Sequence, residues 1–144
     1  MRRLLKAAAL LTLLAATAAA DEHTLSTFTD ERIHRVYESH TLDHKTTAKK
    51  KVELPVRAAG RRVSLRVRAV VSGGEARVLV RDAAGRVRQE ARLRPSASKP
   101  NTYDVSTDEE RAAGGEWTVE FEFRDATGSY EFTWTSELAP GARD

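Results

Sequence analysis

Residues 114–134 read GGEWTVEFEFRDATGSYEFTW, and this stretch decides the fold class. Large apolar residues occupy every second position on both sides of the sequence DATG at 125–128. A period of two is typical of strands that bury one face and expose the other. The alternatives are a sandwich core and an exposed platform on which sugars or bases stack. The unbroken alternation favours the core, because each large ring contributes roughly 1.5–3 kcal/mol when it is buried. The inward residues are Trp117, Val119, Phe121, Phe123, Tyr130, Phe132 and Trp134.

The same alternation continues through residues 50–105 and is interrupted by turn sequences. The segments DAAG at 82–85 and DATG at 125–128 predict tight antiparallel hairpins that close on a left-handed glycine. This pattern predicts an all-β protein, a single antiparallel β-sandwich of jelly-roll or Ig-like type with about seven or eight short strands. Trp134, near a predicted strand end, is the ring expected closest to the surface. Residues 30–41 fit either a helix or a strand, and their β-branched content favours a strand.

The predicted domain organisation starts with a secretory signal peptide at residues 1–20, where basic residues precede an apolar run that ends in Ala-Ala-Ala. An N-terminal segment, residues 21–48, is expected to be partly ordered and to contain a possible first strand. The sandwich domain covers 49–137, and residues 138–144 form a disordered tail. These expectations place the protein in the periplasm or outside the cell, with no membrane span after cleavage.

Charge and cysteine content exclude several classes of function. The signal peptide contains three of the 24 Lys and Arg residues, so the mature chain has 21 of them against 21 Asp and Glu. This balance argues against nucleic acid as a partner. The absence of cysteine excludes disulfides, thiolate metal sites and a cysteine nucleophile. No cofactor is expected.

Three sequence features resemble the bacterial pre-peptidase C-terminal-like domains, a family of jelly-roll accessory modules. They are a V-x-L-x-V strand after an A-A-G turn (58–67), a V-L-V-R-D-x-x-G hairpin (78–85), and a closing G-x-W-x-V…G-x-Y-x-F pattern (115–132). The resemblance implies a non-catalytic module of an exported protein that assists secretion, adhesion or substrate contact. The acidic D-x-D pattern of the family is missing, so the resemblance implies no metal ligands here.

A candidate metal site depends on cleavage after Ala20. The mature chain would then begin Asp21-Glu22-His23, and its amine, two amides and the imidazole of His23 would offer four nitrogens in a plane. This geometry suits Cu(II) or Ni(II). The alternative is a flexible terminus with an ordinary surface histidine.

Charge is distributed unevenly between two blocks. Residues 57–94 contain eleven Arg against three acids, and residues 104–137 contain ten acids against two Arg. Separate sheets would give one basic face able to hold anionic polymers. Interleaved strands would instead form cross-strand ion pairs worth roughly 0.2–1 kcal/mol each, and the equal and opposite totals favour this arrangement. The candidate anionic-ligand face consists of Arg62, Arg66, Arg68, Arg77, Arg81 and Arg88.

The sequence contains no nucleotide-binding, serine-hydrolase or zinc-protease motif. We therefore expect a non-catalytic binding or interaction module, monomeric or weakly self-associating, whose partner is a protein or glycan of the cell envelope. The alternatives are an envelope metal-binding protein, a binder of anionic polymers and, less favoured, a small hydrolase.

Overall fold

The computed structural model describes residues 23–138, and these residues form strands and turns without any helix. Within that range, no helical segment is available that could cross a membrane. The strands are β1 (His23–Thr29), β2 (Ile33–Val56), β3 (Arg61–Arg81), β4 (Val87–Leu93), β5 (Asn101–Ala112) and β6 (Gly115–Glu137). The predicted signal peptide and residues 139–144 of the predicted tail lie outside this described part.

Three long strands, β2, β3 and β6, run through both layers of a sandwich. All pairings are antiparallel. In the front layer the order is β1-β2-β6-β3-β5, formed by the first halves of β2 and β3 and the second half of β6. In the back layer the order is β2-β6-β3-β4, formed by the remaining halves. The predicted all-β antiparallel sandwich is therefore confirmed, with six strands in place of seven or eight.

The long strands bend between the layers at irregular positions in their pairing. The register shifts lie between Leu42 and Ala48 in β2 and between Val71 and Glu75 in β3. Gly128 of β6 has a φ of 139°, and a Cβ added there would lie 1.9 Å from the carbonyl oxygen of Val70. Only glycine allows this close approach of two backbones.

One predicted hairpin is confirmed and the other is wrong. At DAAG the amide of Gly85 donates to the carbonyl of Asp82 at 2.9 Å, and β3 pairs with β4 beyond the turn. At DATG the chain stays within β6, whose two halves pair with β2 and β3 and not with each other. The segment is a bend that carries the strand from the back layer to the front layer.

The core lies between the layers, and the aromatic rows of β6 fill it. All seven predicted inward residues are buried. The rings of Phe121 and Tyr130 lie 4.4 Å apart between centroids, and those of Trp117 and Trp134 lie 5.5 Å apart. Trp134 is 0% exposed, so the expectation that it approaches the surface is wrong. Its strand continues to Glu137, which places the ring under a full layer.

Residues 30–41 contain the beginning of β2, which confirms the strand interpretation over the helical one. β2 runs without interruption from Ile33 to Val56, across the predicted boundary at residue 48. β1 precedes it as an edge strand whose residues are all exposed.

Candidate binding surface

The outer face of the front layer presents polar side chains in rows across five strands. One row, given by the pairing register, is Ser26, Tyr37, Thr133, Arg66 and Ser106. Its side chains point away from the core because their neighbours along each strand are the ones that face the other layer. We call this surface the outer front face.

Hydroxyl groups dominate the outer front face. Its Ser and Thr residues are Thr24, Ser26, Ser39, Thr41, Ser64, Thr102, Ser106, Ser129, Thr133 and Thr135. Each hydroxyl can donate one hydrogen bond and accept others, so the surface suits a ligand that also carries both functions.

Charge on the outer front face is balanced. Its four arginines are matched by four acids, and the members are Arg35, Arg62, Arg66, Arg68, Asp104, Asp108, Glu131 and Glu137. Arg66 donates to both oxygens of Asp104 through Nε at 2.9 Å and Nη2 at 2.7 Å. This two-point bond fixes both planar groups, and the pKa of Asp104 is held below its ordinary value by that contact with Arg66.

A cavity of about 310 Å³ opens over β2, β6 and β3 of this face, close to the bend at Gly128. Its polar wall includes Tyr37, Arg68 and Glu131. The hydroxyl of Tyr37 donates to Oε2 of Glu131 at 3.3 Å, and Arg68 lies 3.8 Å from the other carboxylate oxygen. The cavity therefore combines a donor, an acceptor and a half-buried aromatic ring.

The structure divides the six candidate arginines among three places. Arg62, Arg66 and Arg68 lie on the outer front face, while Arg77 and Arg81 lie on the outer face of the back layer. Arg88 lies over the ring of Trp117 at the opening between β4 and β5.

These arginines are engaged rather than free to form one basic surface. Arg62, Arg68 and Arg77 pair with Glu137, Glu131 and Glu90, and Arg88 pairs with Asp82 and Glu109. Arg81 donates to the carbonyl of Gly85. The structure thus confirms that the two charge blocks interleave, because β3 of the basic block lies between β5 and β6 of the acidic block in the front layer.

A second polar cluster closes the inner edge of the sandwich beside β1. Glu38 is 2% exposed, and its Oε1 contacts the ammonium of Lys50, Nε2 of His23 at 2.8 Å and the hydroxyl of Tyr130 at 3.3 Å. Nδ1 of His40 lies 3.4 Å from that hydroxyl. Lys50 comes from the back layer and Glu38 from the front layer, so the pair joins the two layers.

The environment of this cluster disfavours proton exchange near neutral pH. Burial raises the pKa of Tyr130 to about 12 and lowers the pKa of Lys50. Burial and the ammonium of Lys50 lower the pKa of His23. The cluster is therefore a neutral imidazole beside a buried ion pair, an arrangement that holds the edge of the fold together.

The predicted metal site is only partly described. Asp21 and Glu22 lie outside the described residues, and His23 begins β1 with its imidazole against Glu38. Between residues 23 and 138 no group of three or more metal-ligating side chains occurs. The copper or nickel site at the mature terminus stays a prediction.

Sequence reasoning missed the outer front face as a site. Tyr37 and Ser39 lie on β2, whereas Glu131 lies on β6, far away in the chain. Only the strand order brings these residues into adjacent rows. The available signal was the alternation in TWTSE and in the first half of β2, where hydroxyl residues occupy the positions between buried ones.

Comparison with known proteins gives similarities to solved structures only. No protein-family model matches it, and no curated protein matches it. The solved structures with similar folds include TmCBM61 in complex with beta-1,4-galactotriose (11% identity, 81% of this chain and 88% of that chain, TM-score 0.41). Murine APRIL is also similar (14%, 81% and 100%, TM-score 0.42), as is a family 35 carbohydrate binding module from Clostridium thermocellum (10%, 78% and 86%, TM-score 0.37). At these identities the likeness concerns the fold alone. The resemblance to pre-peptidase C-terminal-like domains therefore stays a prediction.

Proposed function

We propose that this protein is an exported, non-catalytic binding module that holds a neutral glycan on its outer front face. The observation that carries the proposal is the cavity of about 310 Å³ lined by Tyr37, Arg68 and Glu131 within a surface of hydroxyl groups. Pockets of this size bind small ligands through a few convergent polar groups.

The chemistry of the surface matches that of a sugar. Sugar hydroxyls donate and accept hydrogen bonds at once, and the guanidinium, carboxylate and hydroxyl groups around the cavity supply complementary partners. The ring of Tyr37 offers an apolar surface for the C–H face of a pyranose, with its polar end engaged by Glu131.

Charge balance favours a neutral ligand over a polyanion. Four acids on the outer front face would repel a sulfated or uronic polymer as strongly as four arginines attract it. Arg62, Arg66 and Arg68 are also held in ion pairs, and a polyanion would have to displace Asp104 from its two-point bond with Arg66.

Absence of catalysis is part of the proposal. The titratable cluster around Glu38 has the residue types of an active site, but the Glu38 side chain is 3% exposed and its contacting oxygen is engaged by three donors. A group in that state has no access to substrate. Export is supported by the basic and apolar composition of residues 1–20.

Affinity electrophoresis through gels that contain β-glucan, galactan, xylan or mannan tests the function. We expect one of these neutral polymers to retard the protein. Tyr37→Ala and Glu131→Gln should each weaken the retardation about ten-fold, the equivalent of one or two lost hydrogen bonds. Lys51→Ala, on the outer face of the back layer, is the matched control and should behave as the wild type.

Two results would contradict the proposal. One is the absence of retardation in all four gels together with retention on heparin that Arg66→Gln abolishes, which favours an anionic polymer. The other is equal weakening by Lys51→Ala and Tyr37→Ala, which places binding away from the outer front face.

A further inference from the structure

A second surface, on the back layer, contains two neighbouring arginines whose charges the fold compensates only in part. The pairing register places Lys49, Glu122, Arg77 and Arg92 in one row across β2, β6, β3 and β4. The row lies beside the bends that lead to the front layer. Its neighbours at the bend are Glu75 and Arg124, which pair at 3.3 Å.

Arg77 and Arg92 are direct cross-strand partners. Like charges placed opposite each other in an antiparallel pair destabilise the sheet. Arg77 is partly compensated, because its Nη2 donates to Glu90 at 2.9 Å. Arg92 forms no ion pair with any residue between 23 and 138.

Both arginines line a cavity of about 350 Å³, together with Lys49, Arg124, Glu75 and Glu122. Four cations against two acids leave a net charge of two positive units on its wall. Nε of Arg77 is buried and has no hydrogen-bond partner in the described part of the chain. An orphaned buried donor of this kind costs stability until an acceptor reaches it.

We propose that this back-layer cavity binds a small phosphomonoester. The charge of a phosphate dianion is equal and opposite to the net charge of the wall. Its oxygens can accept hydrogen bonds from Arg77 and Arg92 together, so that binding removes the repulsion between the two arginines. Thr47, Ala48, Ala76 and Phe123 complete the lining.

The size of the cavity favours a phosphate ester over free inorganic phosphate. A space of about 350 Å³ is far larger than an oxyanion, since a water molecule occupies about 30 Å³ in the liquid. A sugar phosphate fills it more completely, so glucose 6-phosphate is expected to bind more tightly than inorganic phosphate. This site is separate from the outer front face and does not depend on the glycan proposal.

Thermal unfolding and isothermal titration with glucose 6-phosphate and inorganic phosphate test the site at constant ionic strength. We expect glucose 6-phosphate to raise the Tm of the wild type through binding to the native state. Arg92→Gln should weaken its binding about ten-fold or more, as expected for a lost charged hydrogen bond. In buffer with chloride only, the same variant should melt no lower than the wild type, because it removes the repulsion with Arg77.

Arg111→Gln is the matched control, since Arg111 lies on β5, away from the cavity. It should leave binding unchanged, and so should Tyr37→Ala on the outer front face. Absence of a Tm shift in the wild type with both ligands would overturn the site. Equal losses of affinity in Arg92→Gln and Arg111→Gln would also overturn it, because they would indicate nonspecific electrostatic attraction of the phosphate to the protein. Equal affinities for both ligands would overturn the assignment of an ester.

Discussion

His34, Glu38 and His40 show why the start of β2 resisted sequence interpretation. The inward positions of this strand half are 34, 36, 38, 40 and 42, and three of the five are polar. An alternation with polar residues on its inner side gives no clear period of two, so the pattern left helix and strand both open. The partners of Glu38 are distant in the chain, because Lys50 lies in the second half of β2 and Tyr130 lies on β6.

Protonation of His34 should destabilise the fold. Its ring is 8% exposed, and Nδ1 lies 2.7 Å from Oγ1 of Thr29. Burial, followed by the charges of Arg57 and Arg61, lowers the pKa of His34 from 6.5. The unfolded chain therefore takes up the proton first, and the stability present above pH 6.5 decreases as the pH falls toward the folded-state pKa.

Urea unfolding of the wild type and His34→Gln at pH 8, 6.5 and 5 measures this effect. The free energy of unfolding of the wild type should decrease with falling pH, and His34 should account for at most about 1.4 kcal/mol per pH unit of that slope, the value for one proton. The variant should decrease less steeply, because His23 still titrates in it. If the free energies of unfolding of the two proteins decreased in parallel with pH, the assignment of this effect to His34 would be contradicted.

At the scale of the element, the two DAxG segments show what turn chemistry can and cannot predict. Both carry a glycine with positive φ, 79° at Gly85 and 139° at Gly128. A left-handed residue permits a chain reversal and equally permits a sharp bend within one strand. The choice depends on the neighbouring strand: the backbone of Val70 lies against Gly128, while nothing lies within 4 Å of the Cβ position of Gly85.

A pair of alanine substitutions separates these two glycines. Gly128→Ala would place a methyl group 1.9 Å from the carbonyl oxygen of Val70 and should destabilise the protein by about 3 kcal/mol or more, as expected for overpacking and backbone strain together. Gly85→Ala has open space and should cost about 1 kcal/mol from its φ alone. The midpoints of urea unfolding give both values. Equal decreases in the free energy of unfolding for the two variants would show that the bend does not require the close approach of Gly128 to Val70.

At the scale of the molecule, the sequence predicted the charge pairing better than the site. The equal and opposite totals of the two blocks favoured interleaved strands, and β6 does lie between the Lys-bearing β2 and the Arg-bearing β3. The outer front face was not predictable, because its rows depend on strand order. Strand order in turn follows from three strands that each serve both layers, a feature that local alternation does not encode.

This shared-strand architecture predicts that the two layers unfold together. Neither layer has a core of its own, because the rings of back-layer Trp117 and front-layer Trp134 pack against each other. The two layers are also continuous through β2, β3 and β6, so loss of one layer would expose the inner face of the other to water. We therefore expect one cooperative transition, as in small single domains.

The chain contains two tryptophans, so Trp117→Phe and Trp134→Phe each leave one fluorescent reporter in a known layer. Within each variant, the urea transition followed by fluorescence should coincide with the transition followed by far-ultraviolet circular dichroism. Both variants will be less stable than the wild type because a buried ring becomes smaller, and the comparison is therefore made within one variant. A reporter whose fluorescence changes at lower urea than the dichroism would show that its layer unfolds first. That result would contradict the inference that bends such as the one at Gly128 couple the layers.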